Sequence, residues 1–452
     1  MNVDDDRSRH SRSLRIAAWL LGALAIIFVA GIAVNAWLLP VNRSVATNTN
    51  QPVYRWGAGQ IEALHRNVKD LAGTDGSALA EDRFLTTKLA NETAVAATPV
   101  EVCGLGKVKL NEYGVPAQKL DEEIIQARLV EIGGEFTQSK IEIERALGLY
   151  ISARAQSSLA GLQASKDASC ANLPGGGCYD KAKPAVDAAL IAAAAPLLDM
   201  ARTTSDPAIY TSALRTCRWS TSEACKEISA NRLLTIDPEN MQSWLYVAEA
   251  AKRENDKLGE ERALQRASEQ QFYAERRLPV HRVLTALQAR DEAPLVVNNV
   301  SAQMLAFEFN VTPSMPTVFQ SFCKKPALDL EGRMEACKSL AIKMETGAES
   351  IMAESFSNTL HTRTGRSEDE SKRREEDRNA ILYYMLSDEA RGDFYSCSSL
   401  VNQNNFLQES LEKGDRNAVR DRLKARGLTL EQWLNSVNEA KRKGTYKIDL
   451  PF

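Results

Sequence analysis

The sequence predicts an all-α protein, in which a single N-terminal transmembrane helix precedes an exported domain of irregular helical hairpins stapled by disulfides. Three observations carry this reading. Residues 16–39 form an uncharged run of 24, apolar side chains elsewhere recur at helical spacings, and eight cysteines include three pairs close in sequence.

The apolar run Ile16–Leu39 reaches about 36 Å as a helix, enough to cross a ~30 Å hydrocarbon core with some tilt. Trp19 and Trp37 lie about 27 Å apart along it, one indole for each membrane interface. Arg7, Arg9, Arg12 and Arg15 precede the run, whereas only Arg43 and Arg55 follow closely. This asymmetry keeps residues 1–15 in the cytoplasm and sends the rest of the chain across, into the periplasm if the membrane is a bacterial inner membrane. A cleaved signal peptide is the competing reading, with Val34 and Ala36 as the small residues before the cut; its apolar core is normally shorter, about 7 to 15 residues.

Residues 40–56 are rich in Asn, Thr, Ser and Val and read as a linker that lifts the domain off the bilayer. An N-terminal helical region, 57–200, follows. It is least regular between Gly73 and Pro116, where Val100–Leu110 reads as a short extended segment. From Leu120 to Leu162 the apolar residues Ile124, Ile125, Leu129, Ile132, Phe136, Ile143, Leu147 and Tyr150 mark one helical face, with Gly133 and Gly134 read as a break. Pro184–Ala201 is alanine-rich and suits a helix that lets its neighbours approach closely. Ser205, Asp206 and Pro207 start a helix running to about Arg218, and a second is expected from Cys225 to Ile236. In the C-terminal region, 291–452, helices are expected at 302–309, 330–345 and 349–360. The run Arg363–Arg378 reads as a solvated helix start, with Ser367 and Glu370 as a capping box and Glu368–Lys372, Asp369–Arg373 and Glu370–Arg374 as ion pairs one turn apart. Trp433 is expected to anchor the last helix.

Eight cysteines in an exported domain read as disulfides. The short spacings pair Cys170 with Cys178, Cys217 with Cys225 and Cys323 with Cys337, which leaves Cys103 and Cys397 for a long-range bond or as buried thiols. No CxxC occurs and there are only four histidines, so zinc-ligand spacing is missing and neither a metal nor a cofactor is implied.

The string Asp237-Pro238-Glu239-Asn240-Met241-Gln242-Ser243-Trp244 ends one helix at a proline and places a tryptophan on the next. Ala248, Leu264 and Ala267 follow at the small, large and small positions of a 34-residue helical-hairpin pattern. Residues 237–272 thus resemble one tetratricopeptide repeat unit within a region of helical hairpins, 201–290. The resemblance implies an α-solenoid-like packing with Trp244 between paired helices. Two departures stand out: Glu260 replaces the usual alanine, and Phe272 stands where the closing proline belongs.

Net charge is −3, from 56 basic and 59 acidic residues, so no basic field favours nucleic acid. There is no HExxH, GxSxG or Walker string. The glycine run between Cys170 and Cys178 lacks the Lys and hydroxyl that phosphate binding needs, and Ser321 with Lys324 lacks the companion motifs of a serine–lysine enzyme. The expectation is a membrane-anchored helical module that binds a protein partner as scaffold or assembly factor. The alternatives are an envelope hydrolase with a site assembled from distant residues, or a structural subunit of an envelope-spanning machine.

Overall fold

The computed structural model describes residues 100–108, 122–166, 177–218, 220–309, 322–324, 326–385 and 396–443. The apolar run Ile16–Leu39, the linker 40–56 and the Cys170–Cys178 pairing lie outside the described residues. The chain divides into two units; nearly all the described residues belong to one, Val102–Gly106 with Lys119–Asp449, and the other contributes only 100–101 and 107–108.

The expected extended segment is present as two short strands, β1 (Val100–Val102) and β2 (Gly106–Val108), paired with each other. Among the described residues, every other regular element is helical. The described residues hold fifteen α-helices: α1 (Glu122–Phe136), α2 (Glu142–Ser165), α3 (Gly177–Thr203), α4 (Pro207–Cys217), α5 (Ala230–Ile236), α6 (Met241–Arg253), α7 (Lys257–Glu269), α8 (His281–Gln288), α9 (Pro294–Phe309), α10 (Arg333–Gly347), α11 (Ile351–Arg363), α12 (Glu368–Met385), α13 (Cys397–Lys413), α14 (Asp415–Ala425) and α15 (Leu430–Arg442). Local chemistry sets several of their starts. Asp206 caps α4 by accepting from the amides of Ala208 and Ile209 at 2.8 and 3.2 Å, with Pro207 just inside. Asn240, Asp256, Ser350 and Ser396 cap α6, α7, α11 and α13 in the same way.

Sequence neighbours pair in succession, α1 with α2, α2 with α3, α3 with α4 and α6 with α7, and α10 then packs on α7 and pairs with α11. The array is not an open one. α12 packs on α11, α14 and α15; α13 packs on α14 and returns to α8 and α9; α9 touches α1, so the circuit of contacts closes. Two cores result. The first joins α1–α5 with α8 and α9 around Tyr150, Leu197, Tyr210 and Leu284; the second joins α6, α7, α10 and α11 around Met241, Leu264, Phe322 and Met344. The segment 182–203 of α3 is long and apolar enough to cross a membrane, yet Ala194, Leu197, Leu198 and Ala201 are buried in the first core.

Three disulfides fall on described residues, Cys217–Cys225, Cys323–Cys337 and the long-range Cys103–Cys397. Elsewhere the structure corrects the sequence reading. The helix expected from Cys225 to Ile236 is shorter: Cys225 ends a 3₁₀ turn, Glu223–Cys225, and α5 begins only at Ala230, where Ser229 caps it by accepting the Arg232 amide. α9 begins at Pro294, well before the expected 302. In the charged run, Arg374 reaches Glu345 on α10 rather than Glu370, and Glu370 lies 3.7 Å from Arg366. The capping box holds on one side, with the Glu370 amide donating to Ser367 Oγ at 3.3 Å. Trp433 is buried against Tyr384, ring centroids 5.6 Å apart.

Gly133 and Gly134 do not break the helix; α1 runs through both. Gly133 faces Gly148 of α2, and a Cβ at Gly133 would overlap the Ser152 hydroxyl and sit 2.8 Å from the Gly148 carbonyl oxygen. The missing side chains let the two backbones touch. Alanine normally stabilises a helix interior by about 1 kcal/mol over glycine. Gly148→Ala should instead destabilise the domain by about 1–2 kcal/mol, because overpacking at this crossing outweighs propensity. Urea denaturation checks the sign, and an unchanged or higher midpoint contradicts the packing account.

Candidate functional site

The residues of the helical-hairpin signature converge where α6 and α7 meet the second core. Ala248, Leu264 and Ala267 are buried there together. Trp244 is only half-buried; it packs against this core and donates its indole N–H to the Pro238 carbonyl at 3.1 Å, closing the turn into α6. Pro238 ends the preceding helical segment at the same junction.

The closing proline is absent at 272 because the chain does not turn into another helix. Residues 270–280 leave α7 as a strand of chain without regular secondary structure that runs between the two cores, with Phe272 bridged in parallel to Asn240. Tyr273 is buried in the second core, Leu278 and Val280 in the first. Buried strand backbone without a sheet needs other partners for its amides and carbonyls. Here neighbouring helix starts provide them. The Met241 amide donates to the Phe272 carbonyl at 2.8 Å. Asn240, fully buried, accepts from the amides of Gln242 and Ala274 at 3.0 Å and donates to the Ala274 carbonyl at 3.0 Å and to Asp237 at 2.8 Å. Gln242 Oε1 accepts the Arg276 amide at 3.0 Å, and Arg215 of α4 donates to the Arg276 carbonyl at 3.2 Å and to the Tyr246 hydroxyl at 3.1 Å.

Charged side chains of the strand reach outward to further helices. Arg276 grips Asp237 through two bonds of 2.8 and 3.0 Å, and this hydrogen bonding raises the guanidinium pKa. Glu275 is buried, pairs with Arg277, and accepts the hydroxyl of Ser350, the cap of α11, at 2.8 Å. Asp415, at the start of α14, accepts the Ile351 amide at 3.0 Å; burial pushes its carboxyl pKa up. At Gly347 the Tyr273 carbonyl comes so close that no side chain fits. Burial likewise raises the Tyr246 and Tyr273 hydroxyl pKa values. The sequence reading named Asp237 and Asn240 but missed Glu275, Arg276, Arg277, Ser350 and Asp415. The one local signal was Pro279, which ends any helix by Leu278 but does not by itself forbid one before it.

A second polar cluster ties α10 to α11 and α12. Glu345 lies 2.8 Å from His361 Nε2 and pairs with Arg366 and Arg374. Burial alone pushes its carboxyl pKa up, but hydrogen bonding and charge from Arg366, with Arg374 and His361, hold it below the usual value. His361 is pushed down, first by burial and then by Arg366. Lys343 donates to the Ser268 carbonyl and to Ser339 Oγ, each at 2.5 Å, while the Ser339 hydroxyl donates to the same carbonyl at 2.6 Å. This serine–lysine contact therefore caps the C-terminal end of α7, its hydroxyl hydrogen committed to backbone. A cleft of about 470 Å³ between α2, α8 and α13 is lined by His281, Arg282, Glu144, Gln408 and Glu412; there Arg282 pairs with Glu144. Among the described residues no group of His, Cys, Asp and Glu is placed to hold a metal ion.

No family model matches the chain, and neither a curated protein nor a solved structure is significantly similar to it. The arrangement itself thus carries the functional argument, and its chemistry is that of joints between helices.

Asn240→Ala leaves two buried amides and a carbonyl unpartnered, and should cost about 3 kcal/mol. Chemical denaturation tests this; a loss under about 1 kcal/mol contradicts the joint. For His361 the folded form releases its proton more readily than the unfolded chain, whose histidine titrates near 6.5. Its contribution is therefore fully present above that pH and is lost as pH falls through and below it. His361→Gln should flatten the fall in melting temperature between about pH 7 and pH 5.5, and an unchanged slope contradicts this assignment.

Proposed function

We propose that the protein is a single-pass membrane protein of a bacterial envelope whose periplasmic helical body serves as a protein-interaction scaffold or assembly factor. The observation that carries this reading is an array of helical hairpins held by disulfides behind an uncharged run of 24 residues with arginines on its N-terminal side. Disulfides persist in oxidising compartments, and the arginine asymmetry favours export of everything after Leu39. Stacked helical hairpins offer ridges and grooves for protein partners, and the tetratricopeptide-like unit at 237–272 supports the same use. Leu258 on α7, Ile342 on α10 and Leu330 just before α10 are each more than half exposed, apolar side chains on hairpins of the second core. The polar clusters are paired across helix joints, which favours a scaffold over a hydrolase.

A reporter enzyme that works only after export, fused behind Phe452, should be active. Replacing Arg7, Arg9, Arg12 and Arg15 with glutamate should weaken that activity, and a cytoplasmic C-terminus overturns the proposal. In the same cells, photo-crosslinkers at Leu258 and Ile342 should capture a discrete protein that one at Lys443 does not.

A further inference from the structure

α8 and α13 pack side by side and run antiparallel, joined by a ladder of polar side chains. Gln288 Nε2 donates to Asn405 Oδ1 at 3.1 Å, and one turn on Gln408 Nε2 donates to Thr285 Oγ1 at 2.9 Å. The next rung sets His281 of α8 against Glu412 of α13. There the ladder stays open, because these two side chains share neither a hydrogen bond nor an ion pair. This rung borders the cleft of about 470 Å³, which Phe136, Ala286 and Ala289 line with apolar surface.

The polar groups of the cleft are either already bonded or able only to accept. Glu144 has both carboxylate oxygens occupied, one by Arg282 and the other by the Ser139 hydroxyl. The Thr285 hydroxyl donates to the His281 carbonyl at 3.3 Å, so Gln408 presents its amide N–H to Thr285 and leaves Oε1 open. Burial pushes the His281 pKa down, against the pull of Glu412, and near neutral pH the uncharged ring offers a lone pair. Glu412 has no hydrogen bond or ion pair among the described residues, and its neighbour Lys413 is held instead by Asp421 at 2.7 Å. With Glu144 balanced by Arg282, the lining carries one uncompensated negative charge and three open acceptors from two helices.

The geometry points to a binding site for a guanidinium group on an apolar stem, with Glu412 as its counter-ion and Gln408 and His281 as hydrogen-bond acceptors. A guanidinium carries five N–H donors in one plane and accepts nothing, which matches open groups that only accept. The Phe136 ring in the lining favours a cation over a neutral donor, and the small side chains of Ala286 and Ala289 leave room for the stem. The volume lies within the range of small-molecule sites. Such a group arrives either on a free small molecule or on an arginine side chain of a protein. The site stands whether or not the chain is anchored in a membrane.

The test is calorimetric titration of the full chain, solubilised in detergent, with butylguanidine and, separately, with arginine blocked as its N-acetyl methylamide. Butylguanidine should bind one to one with Kd of about 0.1–1 mM, and butylurea, of the same shape but uncharged, at least about tenfold more weakly. Glu412→Gln should weaken butylguanidine about tenfold. Ala289→Trp, which fills the cleft from an exposed position without changing its charge, should abolish binding, and Glu431→Gln on the exposed surface of α15 should leave it unchanged. Circular dichroism of each variant confirms that it is folded. Blocked arginine that binds at least as tightly as butylguanidine assigns the site to a protein side chain, and weaker binding assigns it to a free molecule. The site is overturned if neither cation binds at about 10 mM, if butylurea binds equally well, or if Glu412→Gln and Glu431→Gln behave alike.

Discussion

The rest of the structure depends on one non-helical strand of chain, residues 270–280, held between two helical cores mainly by hydrogen bonds to neighbouring helix starts. A helix satisfies its own backbone; a lone buried strand does not. The cost is met because α6 starts at Asn240 and Gln242, whose side chains serve the strand while their own backbone opens the helix. Tyr273 then commits the strand to the second core and Leu278 and Val280 to the first. The segment thus buries its own apolar side chains in both cores.

That strand also explains why the helical array bends back on itself. A regular hairpin repeat after α7 would continue the stack outward. Here Glu275 meets the cap of α11, and Asp415 holds the first amide of the same helix from α14, so the C-terminal helices are drawn to the strand. α13 consequently lies on α8 and α9, and the Cys103–Cys397 bond fastens the N-terminal turn to its start. Charges buried this way are costly unless paired, which makes the joint specific rather than merely sticky.

The helices were legible because an apolar stripe at period 3.6 needs no knowledge of its partner, and the pairs Cys217–Cys225 and Cys323–Cys337 were legible because few residues separate their members. Gly133 and Gly134 were misread since glycine looks the same in sequence whether it ends a helix or admits a neighbour; only Gly148 across the contact distinguishes the two. Arg374 was assigned to Glu370 by spacing, but the half-buried Glu345 on another helix is the stronger attractor. Tyr273-Ala-Glu-Arg-Arg-Leu278 has the composition of a helix, and its non-helical form is held by tertiary partners 30 to 140 residues away in sequence. The Phe272 departure from the repeat pattern was visible, although its meaning was not.

Native-state hydrogen exchange tests the central claim most directly. The amides of Met241, Ala274 and Arg276 join the strand to α6. If the strand is the joint on which both cores depend, these amides exchange only through global unfolding, with the same opening free energy as amides in the middle of α2 and α10. Exchange at a much lower opening free energy, while those helices stay protected, would show that the cores stand without the strand and would contradict the account.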